Sequence, residues 1–152
     1  MGSLSNARWN NLLIPFVGSI IGSLFFMFMS QAYNLLSQGD ETAISLGVDV
    51  RRVKQATIIV VSFVTGIVVA AGGVIGFIGF IVPHIIRILV GADHRRVFPL
   101  SFIGGSLFLL WMDVLARTIM APQELAVGIF TAFCGGPFFV WLLYRKNKYG
   151  RM

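Results

Sequence analysis

Four long stretches of this chain carry no charged residue: Trp9 to Gly39, Gln55 to Ile86, Val97 to Met112 and Leu125 to Tyr144. Between and after them the basic residues fall into clusters, Arg51/Arg52/Lys54, Arg87/Arg95/Arg96 and Arg145 to Arg151. A helix needs about 20 apolar residues to cross a bilayer, and Lys and Arg collect on the cytoplasmic side. If all three clusters are cytoplasmic, an even number of spans separates each pair. One span, about Leu12 to Ala32, precedes the first cluster. Two fit between Gln55 and Val90, and two between Val97 and Tyr144. The expected fold is therefore all-α: a polytopic transmembrane helical bundle of about five spans. Its chain enters from outside and ends inside, leaving only Arg8 and Arg117 of the basic residues outside.

Composition agrees. The chain is 57% hydrophobic and 12% charged, against about 25% charged in soluble domains. That excludes an ordinary soluble enzyme, a disordered tail and a disulfide scaffold. The net charge of +6 is accounted for by the cytoplasmic clusters and does not point to nucleic acid. Cys134 is the single cysteine, so an internal disulfide and a cysteine-based metal cluster are both excluded. At the start, Met1 to Asn11 reads as a polar approach to the first span. No basic n-region precedes a short apolar core there, so no secretory signal is expected. Position six of a myristoylation pattern is Asn6 where Ser or Thr is wanted.

The segment that must hold the second and third spans is short for its task. Gln55 to Val90 is 36 residues, while two full spans and a turn want a little over about 40. Its middle reads Gly72-Gly73-Val74-Ile75-Gly76-Phe77-Ile78-Gly79, followed by Pro83 and His84. The expectation is a full helix from about Gln55 to Ala71, a Gly-rich turn, and a short returning helix from about Phe77 to Val90. Short or broken membrane helices are tolerated where they are buried in protein or line a cavity. Gly76, Gly79, Pro83 and His84 are thus candidates for pathway or gate backbone, against the alternative of a kinked structural hairpin. One histidine without a second ligand makes a weak metal site, so no metal or cofactor is assigned.

The segment 37–54 is the longest polar one and looks organised. Asp40 is expected to cap a short helix, with Glu41 in its first turn. Gly47 is expected to close that helix, and Asp49 to cap a second one running into the membrane from Val50. Such a pair forms a knob that a partner protein can grip; an ordinary amphipathic connection is the alternative. Asp113 and Arg117, four apart on one helix face, lie near the outer end of the fourth span and can bridge one another. Asp93-His94-Arg95-Arg96 reads as a turn carrying topology-fixing charge. The Phe and Met run Phe25 to Met29 reads as packing or lipid-facing surface.

Several blocks, in order, resemble one family. Leu35-Leu36-Ser37-Gln38-Gly39-Asp40-Glu41-Thr42-Ala43, continuing to Gly47, resembles the coupling loop of FecCD-type permeases of ATP-binding-cassette importers. Gly76-Phe77-Ile78-Gly79 through Pro83-His84-Ile85-Ile86-Arg87, Asp93-His94-Arg95-Arg96, Asp113 with Ala116-Arg117, and the tail from Glu124 to Phe139 also resemble the family's segments. Gly2-Ser3-Leu4-Ser5 resembles what precedes its sixth span. The likeness covers nearly the whole chain, 1–152 as one domain, yet corresponds to the C-terminal five of about ten spans.

The resemblance implies a permease subunit, or a fragment of one, for iron-siderophore, haem or cobalamin complexes. It sits multi-pass in a bacterial cytoplasmic membrane, beside a second permease subunit. A cytosolic ATPase would dock on Gly39, Asp40, Glu41, Ala43 and Gly47, and an extracytoplasmic substrate-binding protein on Arg117 and Asp113. The chain itself lacks Gly-x-x-x-x-Gly-Lys-Ser/Thr and is not expected to be the ATPase or any other enzyme. The competing readings are a self-standing small oligomeric secondary transporter or channel and a membrane interaction protein that moves nothing. The topology makes a direct prediction. Cysteines introduced at Arg95 and Lys148 should be labelled from the cytoplasmic side alone, and one at Pro122 from outside alone; labelling of Arg95 and Pro122 from one face would overturn the five-span reading.

Overall fold

The structure, a computed structural model, describes residues 9–119 and 127–149. The polar approach up to Arg8, the segment around Pro122 with Glu124 and Leu125, and the side chains of the basic tail from Arg145 lie outside the described residues. Within them the chain is helical throughout, with no strand: α1 Trp9–Phe28, α2 Ser30–Leu36, α3 Asp40–Ser45, α4 Val50–Gly72, α5 Ile78–Val90, α6 His94–Ile119 and α7 Val127–Tyr149.

Two of these, Val50–Gly72 and His94–Thr118, are long and apolar enough to cross a membrane by themselves. The bent pair Leu12–Phe28 and Ser30–Leu36 qualifies together, and Ile78–Val90 and Val127–Val140 are shorter apolar helices. The five apolar segments therefore stand where the charge pattern puts them. Large apolar side chains face outward along them, Phe28 at 82% and Phe133 at 79% exposure. Such surfaces fit lipid or other protein rather than water.

The first span is not one straight helix as expected. It breaks at Met29 with a bend of 54°. Ser30 Oγ donates to Met27 O at 2.6 Å, and hydroxyl bonds to the preceding turn bend helices. The bend directs α2 onto α4 and α6. Tyr33 packs edge-on against Phe98, with ring centroids 5.5 Å apart, and its hydroxyl bonds Thr57. Thr57 Oγ1 already donates to Val53 O, so Tyr33 is the donor. Phe26 also packs on Phe98, which makes part of the Phe25–Met29 run packing surface.

The short returning helix is present, and it starts at Ile78 because Phe77 is left-handed, with φ 67°. Ile78 N–H donates to Gly76 O at 2.9 Å, closing a three-residue turn about Phe77. A left-handed non-glycine residue costs roughly 1–2 kcal/mol, so packing must hold it. Phe77 lies against Gly135 of α7, where a Cβ would sit 2.4 Å from Phe77 Cβ and Cγ. Elsewhere α5 packs on α6, α1 on α4 and α6 on α7. Small residues allow the first two approaches: a Cβ on Gly104 would lie 3.3 Å from Val82, and one on Gly22 2.8 Å from Val64. Met112, Ala116 and Val127 form a buried cluster between α6 and α7, flanked by Phe108, Leu109 and Phe130.

Gly135→Ala should destabilise the bundle by about 1–3 kcal/mol through overpacking. Adding Phe77→Ala should recover part of that loss. Thermal unfolding in detergent measures both, and equal midpoints for the native protein and Gly135→Ala would remove this contact from the packing scheme.

Candidate functional site

Two devices close the loop between α2 and α4 into a rigid knob. The first is the end of α3. Gly47 N–H donates to Ile44 O and Val48 N–H to Ala43 O, both at 2.9 Å, with Gly47 at φ +84°. This is a Schellman ending, which glycine suits because its left-handed backbone meets no Cβ penalty. The second is Asp49, whose Oδ1 accepts from Arg52 N–H at 3.0 Å and caps α4, a contact worth about 1 kcal/mol. Both match expectation.

The start of α3 does not. Gly39, at φ 119° and ψ 148°, occupies the N-cap, and Asp40 is the first helical residue. The Asp40 carboxylate turns instead to Lys54 Nζ at 2.5 Å, tying α3 to α4. Ala43, named among the residues on which an ATPase would dock, offers no surface of its own. It is fully buried within the chain, on the side of α3 that packs on α2 and α4. The outward surface belongs to Glu41, exposed, and to Ile44 and Leu46, exposed by 61% and 60%. An open groove of about 600 Å³ runs beside them, lined by Ile44, Val48, Asp49, Val50, Arg51 and Lys54.

A polar cluster that the sequence reading did not single out fixes α2 beneath this knob. Asn34 Nδ2 donates to Asp93 Oδ1 at 2.7 Å, and its Oδ1 accepts from His94 N–H at 2.8 Å. His94 Nδ1 also reaches Asn34 Oδ1 at 2.8 Å, and Arg87 Nη2 approaches His94 Nε2 at 3.1 Å. The segment Asp93–Arg96 is thus more than a charged turn. The Asn34 hydrogen bond first, then the Arg95 N–H and the Arg95 and Arg96 charges, hold the Asp93 carboxyl below its ordinary range. A depressed carboxyl contributes stability above its unfolded value and loses it as pH falls through the folded one, so the contact is complete at neutral pH. The sequence signal for it was slight: one Asn beside Tyr33 at the end of an apolar stretch.

The remaining candidates do not converge on the knob. Gly76 and Gly79 are exposed, with nothing within 4 Å of an added Cβ. Pro83 lies inside α5 and has no N–H for the carbonyl of Gly79, one turn earlier. His84 stacks on Phe80, centroids 6.3 Å apart, and meets Phe138 of α7 edge-on. Asp113 Oδ2 accepts from Arg117 Nε at 2.9 Å, so the bridge is formed; it leaves the two terminal guanidinium nitrogens outside that bond. Among the described residues no group of three or more His, Cys, Asp or Glu side chains is placed to hold a metal ion.

An all-helical membrane bundle with a capped helix pair projecting from one end defines a polytopic permease-like protein. The chain matches the FecCD transport family over residues 1–145, and it belongs to that family. It is 43% identical over 148 residues to the hemin transport system permease protein HmuU of Yersinia pestis, covering 97% of this chain and 44% of that one. With the cobalamin import system permease protein BtuC of Halobacterium salinarum it shares 41% over 143 residues, covering 94% and 38%. A solved structure described as a metal-chelate type ABC transporter in an inward-facing conformation superposes with a TM-score of 0.88 at 33% identity, covering 95% of this chain and 46% of that one. The chain therefore spans less than half the length of these relatives.

Proposed function

We propose that this chain forms part of the permease of an ATP-driven importer of metal chelates, with the α3–α4 knob as the surface on which a cytosolic ATPase docks. The observation that supports this most is the knob itself. A backbone ending at Gly47 and the Asp49 side-chain cap hold its two helix junctions, and it presents Ile44 and Leu46 outward beside an open groove. Rigid elements transmit a displacement, whereas a floppy loop absorbs it. Apolar side chains held outward on a polar loop suit a protein partner. The relatives' names, hemin transport and cobalamin import among them, support a chelate as cargo, with an iron complex as the default. Transport itself belongs to a permease completed by the remaining spans, a second permease subunit and an extracytoplasmic binding protein, in a bacterial cytoplasmic membrane.

The knob is tested in a family-length permease carrying these residues. Glu41→Arg reverses an exposed charge. Gly47→Pro removes an N–H that bonds Ile44 O and forbids the left-handed backbone. Both should weaken retention of the ATPase on the purified permease and uncouple hydrolysis from transport, with membrane insertion intact. Unchanged coupling in both would reduce the segment to a connector.

On the opposite face, Arg117 is proposed to meet an acidic residue of the binding protein while bridged to Asp113. Arg117→Glu should impair docking, and charge reversal on the partner should restore part of it, more clearly at low salt. The exposed bridge alone is worth about 0–1 kcal/mol. If the swap Asp113→Arg with Arg117→Glu restores docking and partner reversal does nothing, the bridge is the whole role of Arg117.

A further inference from the structure

We infer that Asn34 is a positioning residue that locks the knob to the last turn of the short helix α5 through a directed chain of hydrogen bonds, so that the knob and that turn are displaced together. The functional meaning of this lock rests on the docking reading above; its geometry does not.

The direction of the chain follows from donor and acceptor chemistry. A backbone N–H can only donate, so the atom of Asn34 facing His94 N–H is the amide oxygen, and the amide nitrogen faces the Asp93 carboxylate. That oxygen has no proton, so His94 Nδ1 must donate to it. In the neutral ring Nε2 is then the acceptor, and it receives the proton of Arg87 Nη2. The sequence of donors is Arg87 to His94 to Asn34 to Asp93, and it begins at a cation and ends at a carboxylate. Asp93 Oδ1 further accepts from Arg95 N–H at 3.0 Å. Every link is charge-assisted or feeds one that is.

The chain joins elements that sequence separates by about sixty positions. Arg87 sits in the last turn of α5, His94 opens α6, and Asp93 lies in the turn between them. Asn34 is in the last turn of α2, which packs on both α3 and α6. Only four residues separate Asn34 from Gly39, where α3 is capped. The aromatic face beside the chain adds to the fit: Tyr33 lies against the His94 ring, centroids 6.0 Å apart, and both rings meet Phe98. Asparagine is the residue this position demands, because it must accept twice on one atom and donate from the other. Aspartate accepts but cannot donate, and it would set two carboxylates face to face.

That requirement supplies a reciprocal test. In the family-length permease with its ATPase, Asn34→Asp and Asp93→Asn should each break the link, the first by repulsion and the second by weakening the acceptor. Together they should restore it in part: the introduced carboxylate accepts both His94 protons and the introduced amide donates to it, at the loss of the bond from Arg95 N–H, which the same atom of Asp93 accepts in the native chain. ATP hydrolysis per assembled complex should change by about three-fold or more in Asn34→Asp, with the amount of retained ATPase unchanged, and return towards the native value in the double variant. A merely architectural role would instead lower assembly and leave turnover per complex alone. A second readout needs no ATPase. In a Cys134→Ser background, nitroxides at Ser45→Cys on α3 and Leu89→Cys on α5 should give a narrow distance distribution that broadens in Asn34→Asp and narrows again in the double variant. Unchanged turnover and unchanged width in Asn34→Asp would overturn the inference, as would a double variant no better than the worse single. If the native knob retains no ATPase, the docking reading falls, and the distance distribution alone decides on the lock.

Discussion

Hydrocarbon offers no partner for a backbone N–H or C=O, and the whole fold follows from that. Each unsatisfied group costs several kcal/mol in the bilayer core, so the apolar stretches become helices and the irregular backbone is pushed to their ends. The described chain obeys this closely. Its non-helical positions are Met29 inside the bend, the knob turns at Ser37–Gly39 and Leu46–Asp49, the turn 73–77, and the turn 91–93. Specific bonds close several of them: Gly47 to Ile44 and Val48 to Ala43 end α3, and Ile78 bonds Gly76, while Gly73 to Val69 and Gly91 to Arg87 are the last rungs of the α4 and α5 ladders.

With the membrane segments settled by backbone bonding, the polar side chains are left to specify one end of the bundle. Among the described residues two of the three ion pairs, Lys54–Asp40 and Arg52–Asp49, lie in the knob. Both are well exposed, and such pairs contribute about 0–1 kcal/mol each and fade with salt. They do not hold the knob together. The Schellman ending of α3 does, since bonds between uncharged backbone groups are not screened by salt, and the Asp49 carboxylate adds a directed bond from Arg52 N–H.

The charge pattern made the bundle legible, because Lys and Arg placement and apolar length are one-dimensional properties. Asp49 and Gly47 were legible too: each acts on residues three or four positions away. What the sequence hid were contacts between distant positions. Nothing near Asp40 announces that its carboxylate is taken by Lys54, leaving the cap to Gly39. Ala43 looks available until α2 and α4 close over it. The Asn34 cluster brings together α2 and the α5–α6 turn, and the left-handed Phe77 depends on a glycine of α7. The bend at Met29 was hidden for a different reason. Ser30 in an apolar helix carries no signal that separates a hydroxyl turned to its own backbone from one turned to a neighbour.

These hidden contacts bear on one element. Helix α5 is anchored at its start by Phe77 against Gly135 of α7 and at its end by Arg87 through His94 to α2. Between these anchors its own ladder is interrupted, because Pro83 gives Gly79 no N–H to accept. Gly79 has open space where a side chain would be. A helix fixed at both ends and weakened in the middle has its least resistance at the weak point. Bending of α5 is therefore least resisted between Gly79 and Pro83. That gives the glycine and proline of this segment a physical part distinct from lining a surface: they set where α5 yields, while Phe77 and Arg87 set what it yields to.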